Sequence, residues 1–200
     1  MPAAARRLLS YAEYLAAEER SDIKHEYIEG HVVAMARGTM AHASLCTNLA
    51  VLVGAALRGR PCRPFTESQR IRIPATDLST YPDLSIVCGP RMPDELDRHA
   101  ATNPTVLVEV LSPGTAAYDR GEKFDHYKRL PSLREYVLVE SSRMHVDVYR
   151  LDERGEWVYR GYGPGDTVPL SSVGIGIEIA ALYEGWEADS EARLPTPQRG

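Results

Sequence analysis

Along most of the chain, apolar residues alternate with polar ones or recur at helical spacing. One run does neither: from Val106 to Leu111 every position is apolar except Glu109. A run that is greasy on both faces reads as a central strand covered on both sides. Burying a lone carboxylate in such a strand is costly unless a cation or a proton answers it. Glu109 is therefore the residue that any reading of this chain has to explain.

The pattern around it predicts the remaining elements. Ser10-x-x-Glu13 has the form of a capping box, so a short helix runs from there to about Glu19. Residues 25–36 read as a β-hairpin bent at Glu29-Gly30. From His42 to Leu57 the apolar positions Leu45, Leu49, Leu52, Val53 and Ala56 recur at helical spacing, with His42 opening the same stripe. The run Arg63–Ile73 alternates and reads as one strand, with Phe65, Glu67, Gln69, Ile71 and Ile73 on one face. Residues 74–82 read as a loop, and 83–88 as a short buried strand opened by Asp83. Three prolines and several charges mark 89–104 as a loop or lid.

After the Glu109 strand, Ser112-Pro113-Gly114 breaks the chain and Asp119–Leu130 reads as a helix. Its inner face carries Lys123, Tyr127 and Leu130, and Gly121 is its weak point. Tyr136–Val139 reads as a strand, and Met144–Arg150 with Trp157–Tyr162 as an antiparallel pair. The order helix, three strands, helix, strand predicts an α/β sandwich around a mixed sheet, extended by the hairpin and the C-terminal strands. A single domain is expected over residues 1–185, with a polar flexible tail from 186 to 200.

Composition changes this picture little. Of the 200 residues 44% are hydrophobic and 26% charged, as in ordinary globular proteins, and the net charge of -5 gives no basic coat for nucleic acid. Cys46, Cys62 and Cys88 form no CxxC pair and leave an odd count, which predicts reduced thiols in a cytoplasmic protein. No apolar run approaches the roughly 20 residues that span a bilayer, so no membrane partner is expected.

The candidate chemistry centres on Asp83 and Glu109. If their strands are neighbours, both carboxylates converge on one hard cation such as Mg²⁺ (or Mn²⁺), to which the carbonyl of Val110 adds a further ligand. The plainer readings are a strand-edge turn for Asp83 and a buried ion pair for Glu109. Lys123 on the inner helix face suits the charge of a reacting phosphate or a metal-bound water, or else pairs with Asp119 on a solvated face. His42 is either a packed or capping residue or part of the site. Glu26 either completes the carboxylate cluster or sits exposed on an edge strand. Glu67 and Gln69 are weaker candidates, and Tyr127, Tyr136 and Tyr149 read as core. No Walker loop, GxSxG elbow, HExxH or zinc spacing is present, which removes P-loop ATPases, α/β-hydrolases and zincins.

At these residues the chain resembles the Uma-type restriction endonuclease family. The resemblance is carried by SDIKHEYIEGHVVAMA, MAHASLCTNL, the YPDLS approach to Asp83, and the blocks EVLSPGT, DRGEKFDHY and SLREYVLV, and it covers about residues 10–183. That family is similar to the PD-(D/E)XK nucleases, whose shared core is an αβββαβ sandwich. The resemblance implies metal-binding roles for Asp83 and Glu109. Leu111 stands where the standard signature has its lysine, and the resemblance implies that Lys123 takes that place from the following helix. Glu26 and His42 match recurrent positions near the site.

The expectation is Mg²⁺-dependent hydrolysis of DNA phosphodiester bonds. Its rivals are a non-catalytic nucleic-acid- or protein-binding module on the same fold, and a hydrolase of small phosphate esters. A homodimer paired through residues 144–162 is a further expectation by analogy.

Overall fold

The computed structural model describes residues 7–35 and 38–188. Helix α1 (Tyr11–Glu18) opens on a capping box in which Ser10 and Glu13 satisfy each other's backbone amides. Strands β1 (His25–Ile28) and β2 (His31–Ala34) form the expected hairpin. Both of its turn residues are left-handed, Glu29 at φ 48° and Gly30 at φ 89°, as a two-residue hairpin loop requires. Helix α2 (Met40–Ala56) starts at an N-cap Thr39 and buries Ala41, Leu45, Leu49 and Val53.

Next come β3 (Cys62–Thr66), β4 (Ile71–Ile73), β5 (Leu78–Thr80), β6 (Leu84–Cys88) and β7 (Val106–Leu111). Two short helices, α3 (Ala116–Arg120) and α4 (Glu122–Tyr127), cross to β8 (Glu135–Glu140). Strands β9 (Val146–Leu151), β10 (Trp157–Tyr162), β11 (Thr167–Leu170) and β12 (Ile175–Glu178) follow, and α5 (Ile179–Leu182) is the last element among the described residues.

The main sheet has the order β10-β9-β8-β7-β6-β3, with β7 parallel to β8 and antiparallel to β6. Every residue of β7 is buried, and the strand divides its side chains between two cores. Val106, Val108 and Val110 face α2 and the β11–β12 hairpin. Leu107 and Leu111 face α4 and join Ile71, Ile73 and Leu78 of a second, four-stranded sheet, β2-β1-β5-β4. Glu109 shares the parity of Leu107 and Leu111, so its carboxylate enters the layer between the main sheet, α4 and the small sheet. The mixed-sheet α/β sandwich stands as expected.

Several local expectations are corrected. The run 63–73 is two strands in two sheets, joined by a turn at Glu67–Gln69. Alternation continued across that turn and hid it, so Glu67 and Gln69 have no place on an inner face. The loop at 74–82 contains a 3-10 turn and β5. The helix at 119–130 is broken at Gly121 into α3 and α4. The loop at 89–104 is packed rather than lid-like: Ala100 and Ala101 are fully buried, and Ala101 bridges to Ile71 and Pro93.

Trp186, read as the start of a loose tail, is tied in. Its Nε1 donates to the Ser141 carbonyl and its ring meets Tyr183 edge-on. The rest of that tail beyond residue 188 lies outside the described residues, as does the last residue of the expected 25–36 hairpin segment. The expectation of three reduced thiols also fails: Cys62 and Cys88, opposite each other on β3 and β6, form a disulfide, and Cys46 alone is free. Among the described residues no helix is long and apolar enough to cross a membrane.

Candidate active site

The β6–β7 ladder pairs Leu84 with Val108, and continuing that register would set Asp83 opposite Glu109. The paired register stops at Leu84. Asp83 completes it with its side chain: the Val110 N–H donates to Asp83 Oδ2 at 2.7 Å. His42, in the first turn of α2, places Nε2 3.2 Å from the same oxygen. The His42 ring lies where a Cβ at residue 38 would be, 2.7 Å from Nδ1, so Gly38 makes room for it.

Glu109 is held from the helix side. Lys123 Nζ lies 2.8 Å from Glu109 Oε1, and the Tyr127 hydroxyl donates to that oxygen at 2.6 Å. Lys123 and Tyr127 stand four residues apart and share one face of α4, which follows directly from helical geometry. Lys123 also reaches Glu26 Oε1 at 3.3 Å and Asp119 Oδ1 at 3.5 Å. Glu26 comes from β1 of the small sheet, where the Thr80 hydroxyl donates to it. The i,i+4 pairing of Lys123 with Asp119 is thus present, but both residues are buried and the face is not solvated.

The five predicted residues fall in two adjoining groups: Glu109 and Glu26 on Lys123, and His42 on Asp83, with Asp83 tied to the Glu109 strand through the Val110 amide. Val110 contributes its amide, to Asp83; Gln69 turns to the Arg70 and His99 carbonyls, while Glu67 is near enough for its charge to act on Cys46. Three residues were not anticipated in these roles. Tyr127 read as core because a buried tyrosine usually is core; its place on the Lys123 face was the available signal. Asp119 read as surface. Cys46 was one thiol among three, yet it lies 3.5 Å from His42 Nδ1, one turn along α2.

Charge in this pocket is unbalanced, with Glu26, Asp83, Glu109 and Asp119 set against Lys123 and His42. Burial pushes the Glu109 carboxyl up to about 8; Lys123 opposes the shift, while Asp83 and Asp119 add to it. Burial raises Asp119 in the same way. Burial works against the Lys123 ammonium, but Glu109, Tyr127, Glu26 and Asp119 hold it charged well above its ordinary range. The hydrogen bond with Asp83 raises His42 despite partial burial.

Among the described residues, the bonds from His42 and Val110 fall on Asp83 Oδ2 and that from Tyr127 on Glu109 Oε1. The second oxygen of each is a candidate ligand, and the excess of carboxylates suits a hard divalent cation, so the donor set fits Mg²⁺ or Mn²⁺.

The fold is a mixed-sheet α/β sandwich of the nuclease type. A solved structure described as a putative nuclease belonging to DUF820, from Anabaena variabilis, superimposes with a TM-score of 0.73, over 90% of this chain and 100% of that one, at 19% identity. The profile of the Uma2 family, described as putative restriction endonucleases, matches residues 11–182, and the chain belongs to that family. Two uncharacterised proteins of Synechocystis are similar to it. One, slr1290, is 38% identical over 88% of this chain and 92% of its own length. The other, sll1609, is 31% identical over 79% of this chain and 89% of its own length.

Proposed function

We propose that this protein is a metal-dependent endonuclease that hydrolyses DNA phosphodiester bonds. The observation that carries the reading is the buried Lys123–Glu109 pair, with Asp83 held beside it by the amide of Val110, the next residue along the Glu109 strand. Membership of the Uma2 family, with its restriction-endonuclease description, points the same way.

Asp83 and Glu109 are the residues that would hold the cation, through the oxygens their hydrogen bonds leave over. A divalent cation bound there supplies Lewis acidity toward the scissile phosphate and lowers the pKa of a water. Lys123 stands beside Glu109 as a fixed positive charge, placed to orient the attacking water or to offset charge on the phosphate. Tyr127 fixes the Glu109 rotamer. The Val110 amide and His42 fix Asp83, so both carboxylates are positioned before any ligand arrives. Glu26 and Asp119 share the Lys123 ammonium and keep it charged.

One observation favours a second reading. Lys123 already faces three carboxylates, so the cluster also works as a buried ion network in a non-catalytic binding module on this fold.

Nicking of supercoiled DNA in the presence of Mg²⁺ or Mn²⁺ separates the two. The wild type is expected to nick. Glu109→Ala and Lys123→Ala are each expected to slow nicking by about 10²–10³. Equal activity in the wild type and Glu109→Ala rejects the hydrolytic assignment.

A further inference from the structure

The first two turns of α2 carry a thiol, Cys46, that the hydrolytic reading leaves unused, beside His42. His42 and Cys46 stand one turn apart on one face of the helix, and both look toward Asp83. His42 Nε2 lies 3.2 Å from Asp83 Oδ2, and Cys46 Sγ lies 3.5 Å from His42 Nδ1. One ligand atom from each of His42, Cys46 and Asp83 lies within 4.8 Å of the other two. All three residues are partly buried, and Cys46 is the free thiol left by the Cys62–Cys88 bond.

An imidazole, a thiolate and a carboxylate together are poor company for Mg²⁺, which prefers oxygen donors and retained waters. They are the donor types of Zn²⁺ and of Co²⁺, its spectroscopic substitute, with three protein ligands and an open fourth position for water. We propose that His42, Cys46 and Asp83 form a site for a zinc-like divalent cation, which withdraws Asp83 from the Asp83–Glu109 pair and so restrains the enzyme.

Zinc bonds of about 2.0–2.3 Å require the ligand atoms to close to under about 4 Å of one another. The present separations of up to 4.8 Å leave a short distance to close, through the Cys46 and His42 side chains. On binding, the metal–sulfur bond replaces the thiol S–H and the proton leaves to solvent; nothing is oxidised or reduced. Because Asp83 belongs to both donor sets, an ion here removes a ligand from the hydrolytic pair. The restraint rests on the nuclease reading, whereas the existence of the site does not.

Titration of the oxidised protein with Co²⁺, followed by absorption, tests the site without reference to activity. The wild type is expected to develop a thiolate-to-cobalt charge-transfer band that saturates at one equivalent. Cys46→Ser is expected to lack the band, and His42→Ala to bind Co²⁺ at least about tenfold more weakly. No band in the wild type, or a band that survives Cys46→Ser, overturns the site.

For the restraint, Zn²⁺ is added to the Mg²⁺-dependent nicking reaction. It is expected to slow the wild type by at least about tenfold, and Cys46→Ser is expected to lose most of that sensitivity relative to its own zinc-free rate. Undiminished zinc sensitivity in Cys46→Ser overturns the restraint. The cobalt band does not depend on cleavage, so a protein that binds cobalt but never nicks DNA fails the nuclease reading and keeps the site.

Discussion

Tyr127 shows how little separates a core residue from a positioning residue. Its ring packs edge-on against Tyr136, as any core tyrosine would, while its hydroxyl donates to a fully buried carboxylate. Tyr127→Phe keeps the packing and deletes the donor, leaving Lys123 to hold Glu109 Oε1 alone. The expected loss is about 1–3 kcal/mol in denaturant unfolding, together with slower nicking at unchanged DNA binding. A phenylalanine variant as stable and as active as the wild type would show that Lys123 suffices. At this scale Glu109, Asp83 and Lys123 were legible, because a charge in an apolar strand or on an inner helix face breaks a pattern. Tyr127 and Cys46 break none, so only their neighbours in space reveal them.

Elements meet at α3, where Arg120 ties the crossover to β8 and β9 on the face of the main sheet that it shares with α4. It pairs with Glu140 at the end of β8 and donates to Asp147 Oδ2 of β9 at 2.5 Å. His145 and Tyr159 bond the other oxygen of Asp147, each at 2.8 Å. Burial pushes the Asp147 carboxyl upward, yet these three partners hold it below its ordinary 3.8. A carboxylate depressed in the folded state stabilises the protein above its unfolded pKa, and that contribution fades as pH falls through the folded value. Asp147→Asn is therefore expected to lose about 1–3 kcal/mol near pH 7, with the gap to the wild type closing as the pH falls below 3.8. Melting curves across that range check it; a gap that persists into strong acid points to packing instead of charge. The helix break at Gly121 was visible in the sequence as a weak point. The break between β3 and β4 was not, since alternating residues across a tight turn look like one longer strand.

For the molecule as a whole, the site exists because two sheets are stacked. The main sheet supplies Glu109 and, just before β6, Asp83; the small sheet supplies Glu26, and α4, packed in the same core, supplies Lys123. Periodicity predicted most of the elements but not their division into two sheets, because pairing partners are not written in local alternation. The β11–β12 hairpin, short and late in the chain, was missed for the same reason. Its core-facing residues complete the layer behind α2.

The Cys62–Cys88 bond belongs to this scale too. It fixes edge strand β3 to β6 and closes a loop with a sequence separation of 26 residues. Cys88→Ser, or reduction of the wild type, is expected to cost about 2–4 kcal/mol by denaturant unfolding, and reductant should leave Cys88→Ser unchanged. A wild type indifferent to reductant would show that the bond does not form.

The Val110 amide gives the site a built-in reporter. In an ordinary ladder its partner would be a backbone carbonyl, blind to ligands; here it is the Asp83 carboxylate. Asp83→Ala should unprotect that one amide in hydrogen exchange while its neighbours on β7 keep their protection. Any ligand that pulls on Asp83 should move the Val110 amide resonance in the same titration that fills the site. Occupancy can then be read from a backbone signal at the centre of the sheet, with no substrate and no turnover.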